Sequence, residues 1–224
     1  SEKQKQFITD AGHELKTPIT VIATSLKVLE MESGENKWID KSLAQTEKLR
    51  DLVNSLVSLS RMDEEQSPLK MCDFSLSDAV SETVGSFADF AAVNGHMLTA
   101  EIAPEILYHG DEYAIRQMVS TLLDNAVKYA SDGSPIRLTL EKGKKGPVLR
   151  TVNCCEGLTQ QQADKLFDRF YRVDQSRTTG GFGIGLSMAR SIAEGHKGSI
   201  KATCCEENKI EFTVSLGRCV CSKR

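Results

Sequence analysis

Two long stretches near the amino end repeat apolar residues at helical spacing. In the first, apolar side chains recur in steps of four and three, as in the seam of a coiled coil, at Leu15, Ile19, Ile22, Leu26 and Leu29. After a breaker segment at residues 33–36, a second stretch carries an apolar helical stripe that ends near Met62. The pattern predicts a helical hairpin. Because two helices cannot bury both stripes alone, we expect a second copy to complete a homodimeric four-helix bundle.

The pattern changes at a polar segment, residues 63–68, which ends with a proline as interdomain linkers often do. Two later segments look helical, at 75–93 and 111–130, and four look like strands, at 136–141, 148–152, 200–204 and 210–216. Helices interleaved with hairpin-like strand pairs predict an α+β sandwich, with helices on one face of a mixed sheet. We therefore divide the chain into a helical hairpin, residues 1–65, and an α+β domain, residues 66–224.

Charge and composition narrow the possible partners. Lys plus Arg number 28 and Asp plus Glu 31, so no basic field favours nucleic acid. No apolar run is long enough for a bilayer span, so we expect no direct membrane contact. The cysteines lack CxxC spacing, and we expect them to be reduced and mostly small core residues, at 72, 154, 155, 204, 205, 219 and 221.

A histidine in the first predicted helix is a candidate for chemistry. His13 and Thr17 lie one turn apart and share a face, with Glu14 next to the histidine. A neutral imidazole can accept a phosphoryl group, and a neighbouring carboxylate can hold the opposite ring N–H. A surface histidine on an amphipathic helix fits the same residues, so the segment alone leaves both interpretations open.

A second candidate group lies on one face of the predicted helix at 111–130. Asn125, Lys128 and Tyr129 follow one another at spacings of three and four. An amide oxygen can bind Mg²⁺, a lysine can neutralise phosphate, and an aromatic ring can cover a base. An ordinary amphipathic helix with an ion pair between Asp124 and Lys128 is the alternative.

Alternating glycines provide a third candidate. A helix is predicted to begin at Leu186, and it directly follows Gly181, Gly183 and Gly185. The free N–H groups at the start of this helix could bind phosphate oxygens. The spacing matches neither a P-loop nor a dinucleotide fingerprint. A flexible turn is the alternative interpretation of these glycines.

Taken in order, these segments resemble the sequence boxes of sensor histidine kinases of two-component systems. HELKTP at 13–18 resembles the phosphoacceptor box. Residues 122–130 resemble the N box, and residues 153–158 resemble the first glycine box. Residues 166–172 resemble the phenylalanine box, and residues 180–186 resemble the second glycine box. The resemblance runs from Phe7 to about Gly217 and implies a Bergerat-type ATP-binding domain.

The resemblance implies a role for each matching residue. It makes His13 the phosphorylated residue, Glu14 its general base, and Thr17 the residue that positions water during dephosphorylation of a partner. It implies that Asn125 binds Mg²⁺. Contacts with ATP are implied for Lys128, Tyr129, Asn153, Gly157, Arg172, Gly181, Gly183, Gly185 and Leu186. Phe167 and Phe170 resemble the anchors of a mobile lid at 172–182.

The implied activity is MgATP-dependent autophosphorylation of His13 in a homodimer. The resemblance further implies phosphoryl transfer to an aspartate of a response regulator receiver domain, with phosphatase activity toward that regulator. It also implies that the chain is the cytoplasmic portion of a membrane-bound sensor. A hinge at residues 63–70 would let the nucleotide domain reach the histidine.

The chain departs from the family pattern in the first glycine box. Family members usually present D-x-G-x-G where this chain has NCCEG at 153–157. Asn153 can accept a hydrogen bond without charge, so we expect adenine selectivity with weaker affinity. Cys155 replaces a glycine and restricts the backbone. A dimeric scaffold with weak or absent catalysis is therefore the alternative function. A third possibility is a protein that acts mainly as a phosphatase toward its partner through Thr17.

Thr121 stands one turn before Asn125, where related ATPases of the same fold carry a glutamate that activates water. Threonine is a poor general base at neutral pH. We therefore expect phosphoryl transfer to His13 to dominate over ATP hydrolysis.

Overall fold

The computed structural model describes residues 2–34, 36–62, 69–169, 171–173, 183–205 and 208–218. Within the two amino-terminal helices, it describes the side chains at 15–32, 34, 36–47, 49, 50 and 53. Residues 63–68, the predicted linker, lie outside the described residues. Among the helices described, none combines the length and apolar character needed to cross a membrane.

The first unit, residues 1–68, is a pair of helices, α1 at Glu2–Ser33 and α2 at Lys37–Met62. Gly34 follows α1 with a φ of 75°, in the left-handed region that glycine adopts without steric cost. Asn36 precedes α2, and its Oδ1 accepts a hydrogen bond from the Trp38 N–H at 2.9 Å, as an N-cap does. Ile19 and Val53 form the buried contact between the helices. The predicted hairpin is confirmed.

The second unit, residues 69–224, is built from four helices and seven strands in the part that is described. The strands are β1 Cys72–Ser75, β2 Leu98–Ile102, β3 Leu107–Gly110, β4 Ile136–Gly143, β5 Gly146–Cys154, β6 Ser199–Cys205 and β7 Lys209–Ser215. The helices are α3 Leu76–Val93, α4 Glu112–Tyr129, α5 Gln160–Lys165 and α6 Gly185–Gly195.

Five strands form a mixed sheet in the order β2-β4-β5-β7-β6, with β1 and β3 paired separately. β2 runs parallel to β4, and the remaining neighbours in the five-stranded sheet are antiparallel. Every second residue of β5 and β7 is buried, which marks one face as the core face. α4 packs against both α3 and α6. The predicted α+β fold, with helices on one face of a mixed sheet, is confirmed.

The prediction that the cysteines are mostly small core residues is wrong. Of the five described cysteines, Cys72 and Cys205 are exposed and three are half-buried, at 154, 155 and 204. Successive residues of a strand point to opposite faces, so no more than one of two adjacent cysteines can face the core. Cys219 and Cys221 lie outside the described residues.

Candidate functional site

Helix α4 positions the first group of candidate residues. Asp111 caps the helix, because its Oδ1 accepts a hydrogen bond from the Ala114 N–H at 3.0 Å. The apolar face of α4 is fully buried, with Leu122, Leu123 and Ala126 each 0% exposed. The packing of that face leaves the candidate residues at the border of the buried surface. Asn125 and Tyr129 are half-buried there, and Lys128 is exposed.

Lys128 is engaged within its own helix. Its Nζ donates a hydrogen bond to Asp124 Oδ2 at 2.7 Å, one turn earlier. This ion pair is the one that the alternative interpretation of the segment predicts. Since both side chains are more than a third exposed, the pair is weakly held and solvent-screened. A phosphate group near Lys128 could therefore replace Asp124 as the partner of the Lys128 ammonium group at little cost in free energy.

The carboxyl end of β5 positions Asn153. This residue is 1% exposed, and its Nδ2 donates a hydrogen bond to the Cys154 carbonyl at 3.1 Å. Its Oδ1 is buried and accepts no hydrogen bond from the residues that the structure describes. A buried acceptor without a partner costs free energy unless a ligand or water meets it. Asn153 thus offers an acceptor to a bound molecule.

The loop after β5 is held close to β7. The Cys155 N–H donates a hydrogen bond to the Asn208 carbonyl at 2.6 Å, so the cysteine fits the backbone where the family has glycine. Gly157 has a φ of 73°, a conformation that disfavours any side chain. Thr159 then starts α5 with a capping box that includes Gln162.

The start of α6 approaches α4 closely. The helix begins at Gly185, one residue before the predicted start at Leu186. A Cβ at Gly185 would lie 3.1 Å from Thr121 Cγ2, so glycine permits this approach. Ile184, the N-cap, makes no side-chain capping bond, which leaves the first N–H groups of α6 without a cap from that residue. Gly183 has a φ of 73°.

The predicted lid segment is described only at its ends. Phe167 is 8% exposed and packs edge-on against Phe212, with ring centroids 6.2 Å apart. It is therefore fixed in the core before the segment begins. Arg172 is half-buried. Phe170, Gly181 and the rest of 174–182 lie outside the described residues.

Cys204 borders the site without adding charge to it. It occupies the same row of the sheet as Asn153, with Ile210 between them. Burial raises the pKa of the Cys204 thiol, and the nearby Cys205 and Asp164 raise it further. The thiol therefore stays protonated near neutral pH. Across the described part of the chain, no cluster of His, Cys, Asp and Glu could hold a metal ion.

The histidine segment lies in the other unit. The backbone of His13 and Glu14 is part of helix α1, but the structure does not describe their side chains. Thr17, one turn further on, is exposed. The geometry of the phosphoacceptor group therefore stays a prediction.

A buried polar residue on the same face of β5 as Asn153 escaped the sequence analysis. Thr151 of β5 is 0% exposed, and its Oγ1 has no hydrogen-bond partner among the described residues. A signal was present in the sequence, because polar residues take the last two inward positions of β5, whose earlier inward positions are apolar. The matched first glycine box begins at Asn153, so it did not include Thr151.

Two family models match the chain. The model of the "His Kinase A (phospho-acceptor) domain" matches residues 3–65, and that of the "Histidine kinase-, DNA gyrase B-, and HSP90-like ATPase" matches residues 110–218. The sensor protein DltS of Streptococcus agalactiae is 33% identical over 96% of this chain. The matched part is 54% of DltS, so the chain spans about half the length of this curated relative. The chain belongs to the sensor histidine kinases of bacterial two-component systems and comprises their catalytic core.

Solved structures share the fold at low sequence identity. Full-length ShkA, crystallised in complex with AMPPNP, superposes with a TM-score of 0.77 at 16% identity, covering 96% of this chain and 47% of ShkA. The histidine kinase ThkA, solved in complex with the response regulator protein TrrA, gives a TM-score of 0.69 at 18% identity, covering 96% of this chain and 61% of ThkA. These likenesses concern the fold.

Proposed function

We propose that this chain uses MgATP to phosphorylate His13 and then passes the phosphoryl group to an aspartate of a response regulator. The observation that carries the proposal is the arrangement around β5 and α6 in the ATPase domain. A buried acceptor at Asn153 suits a base, and a glycine-rich helix start at Gly185 suits phosphates. Both lie beside α4, which carries Asn125.

The described residues fit a nucleotide on chemical grounds. The Asn153 Oδ1 would accept a hydrogen bond from the adenine amino group, and Gly157 and Tyr129 would also contact the nucleotide. Phosphate oxygens would meet the N–H groups at the start of α6, to which Gly185 and Leu186 belong. We propose further phosphate contacts for Gly183 and for Gly181, which lies outside the described residues. Lys128 and Arg172 would neutralise phosphate charge.

Asn125 fits a magnesium ligand. The residue is half-buried on α4, and amide oxygens are among the ligands that Mg²⁺ takes in proteins. When bound, the ion would neutralise charge that develops on the transferred phosphoryl group.

In the first unit, His13 would take the γ-phosphoryl group and Glu14 would act as its general base. We propose that a second copy of the chain completes the bundle. Leu15, Ile22 and Leu29 are 48%, 49% and 49% exposed in the single chain. They are seven residues apart, so they form one apolar stripe along α1, which a homodimer would cover.

A response regulator receiver domain is the proposed acceptor. The relative ThkA was solved with a response regulator, and DltS is named a sensor protein. The exposed Thr17 lies one turn from His13, where it could position water for dephosphorylation of the regulator. Phosphatase assays with a phosphorylated receiver domain and a Thr17→Ala variant test that activity, and an unchanged rate would refute the role of Thr17.

We place this core on the cytoplasmic side of a membrane-bound sensor, because ATP and response regulators are found there. The exposed Cys72 allows a direct test. A membrane-impermeant thiol reagent should label it only in permeabilised cells, and labelling in intact cells would contradict the location.

Autophosphorylation from labelled ATP tests the catalytic assignment. His13→Ala should abolish incorporation, and Asn125→Ala should do so by preventing metal-dependent nucleotide binding. His109→Ala is a matched control, because it removes a half-buried histidine of the other unit that pairs with Asp73. Label on His13→Ala would show that the acceptor is misassigned. A wild-type chain that dimerises but neither binds ATP nor incorporates label would instead be a scaffold.

A further inference from the structure

The helix-covered face of β5 carries two polar side chains with unpartnered atoms. Thr151 is 0% exposed and Asn153 is 1% exposed. The Thr151 Oγ1 and the Asn153 Oδ1 form no hydrogen bond with any residue that the structure describes. Residues two apart in a strand project from the same face. Both atoms therefore face the layer between the sheet and its helices.

The neighbouring strands supply no partner for either atom. The four residues directly opposite on β4 and β7 are apolar and at most 4% exposed: Leu138, Phe212, Ile136 and Ile210. A polar group enclosed by such neighbours is usually satisfied by an ordered water or a ligand. A water or ligand beside Asn153, where the proposed nucleotide base would lie, would supply that partner.

The amide of Asn153 has a defined orientation. Its Nδ2 donates to the Cys154 carbonyl, which turns Oδ1 toward the site as an acceptor. The Thr151 hydroxyl can donate or accept. The two side chains can thus present one acceptor and one donor, which complements the amino group and the adjacent ring nitrogen of a 6-aminopurine. A 6-oxopurine has the opposite arrangement of donor and acceptor.

We propose that Thr151 is a second base-recognising residue, which acts with Asn153 through a shared water molecule to select 6-aminopurine nucleotides. Two residues of a strand span roughly 6.6 Å, more than the separation of neighbouring atoms on a base. The hydroxyl therefore reaches the ring nitrogen through the water. This inference rests on the proposed use of ATP and adds a residue to its binding site.

A purely structural role for Thr151 makes a different prediction. Thr151→Val keeps the shape of the side chain and removes a buried hydroxyl, so the nucleotide-free protein should unfold at an equal or higher temperature. If Thr151 had only a structural role, the affinity for nucleotide would not change. If it recognises the base, the affinity for nucleotide falls while the unfolding temperature stays equal or rises.

Calorimetric titration of the whole chain with Mg²⁺ and a non-hydrolysable ATP analogue tests the inference. Thr151→Val should raise the Kd about fivefold to tenfold, the equivalent of one hydrogen bond. Thr151→Ser keeps the hydroxyl and should remain near wild type. Thr139→Val is the matched control, because Thr139 lies on the opposite face of the sheet in β4, and its Kd should not change. The Kd for the corresponding inosine analogue divided by the Kd for the ATP analogue should be smaller for Thr151→Val than for the wild type.

The outcomes separate this inference from the proposed function. A wild-type chain that binds no adenine nucleotide would overturn both. Binding by the wild type with an equal Kd for Thr151→Val would overturn only the role of Thr151, as would a Thr151→Ser variant as weak as the valine variant. If Thr151→Val does not unfold cooperatively, the Kd of Thr151→Ala is compared with those of the wild type and Thr151→Ser instead.

Discussion

At the scale of single residues, the affinity of the proposed nucleotide site depends on whether the side chain at the end of β5 carries charge. Asn153 places a neutral amide where the family usually has a carboxylate. Hydrogen bonds to a charged acceptor are roughly twice as strong as neutral ones. An isolated buried carboxylate, however, is costly when no ligand is present. The native amide therefore favours stability of the free domain over affinity.

We accordingly predict that Asn153→Asp tightens nucleotide binding and destabilises the free protein. The Kd for the ATP analogue should fall roughly threefold to tenfold, and the unfolding temperature without nucleotide should drop, because Oδ1 has no donor among the described residues. Titration calorimetry and thermal denaturation measure the two effects. Gln161→Glu, at an exposed position of α5, controls for added charge. Weaker binding by Asn153→Asp would contradict the assignment of Asn153 as base acceptor.

At the scale of elements, α5 protects the edge of the sheet. β6 is an edge strand, and the Gln160 side chain pairs with its backbone. The Gln160 Nε2 donates to the Ala202 carbonyl at 3.0 Å, and the Gln160 Oε1 accepts from the Cys204 N–H at 2.8 Å. A side-chain amide thus satisfies backbone groups that could otherwise pair with another chain.

Gln160→Ala should remove this protection. We expect faster hydrogen exchange at the Cys204 amide and a loss of about 1–2 kcal/mol in the free energy of unfolding, since two backbone contacts and a bond to Asp164 disappear. Amide exchange and chemical denaturation provide the measurements. Gln161→Ala changes an exposed neighbour and should alter neither. Unchanged exchange at Cys204 in Gln160→Ala would show that the edge is protected in another way.

The elements also show how far sequence patterns reach. β5 and β7 alternate buried and less buried residues, and the sequence predicts both. β1, β2 and β3 were missed, because each has only four or five residues, and β1 and β2 have no buried position. β2 also pairs in parallel with β4, and no local turn signal encodes that pairing.

Some residues of the candidate site could be predicted from local sequence, and others could not. Asn125 and Gly185 were identified because their motifs are local in sequence. The close approach of Gly185 to Thr121 joins segments about sixty residues apart, so only the fold brings it about. Thr151 was missed for a related reason, since its apolar neighbours lie on two other strands.

At the scale of the whole molecule, the two units have separate tasks in the proposed function. The ATPase domain has its own buried core, with residues such as Met118, Leu138 and Phe212 at most 1% exposed. The helical hairpin buries little by itself, and its described core contact is Ile19 with Val53. Dimerisation should therefore depend on the hairpin and leave nucleotide binding unaffected.

Ile22→Glu tests this separation. A charge in the middle of the apolar stripe would have to be buried without a partner in a four-helix bundle, at a cost of several kcal/mol. Sedimentation equilibrium should give the wild type twice the chain mass of 24.6 kDa and the variant the mass of one chain. Thr24→Glu places the same charge at an exposed polar position of α1 and should stay dimeric. The Kd for the ATP analogue should be equal in all three proteins. A dimeric Ile22→Glu variant would exclude this stripe as the interface, and a loss of nucleotide binding in the monomer would show that the two units are not independent.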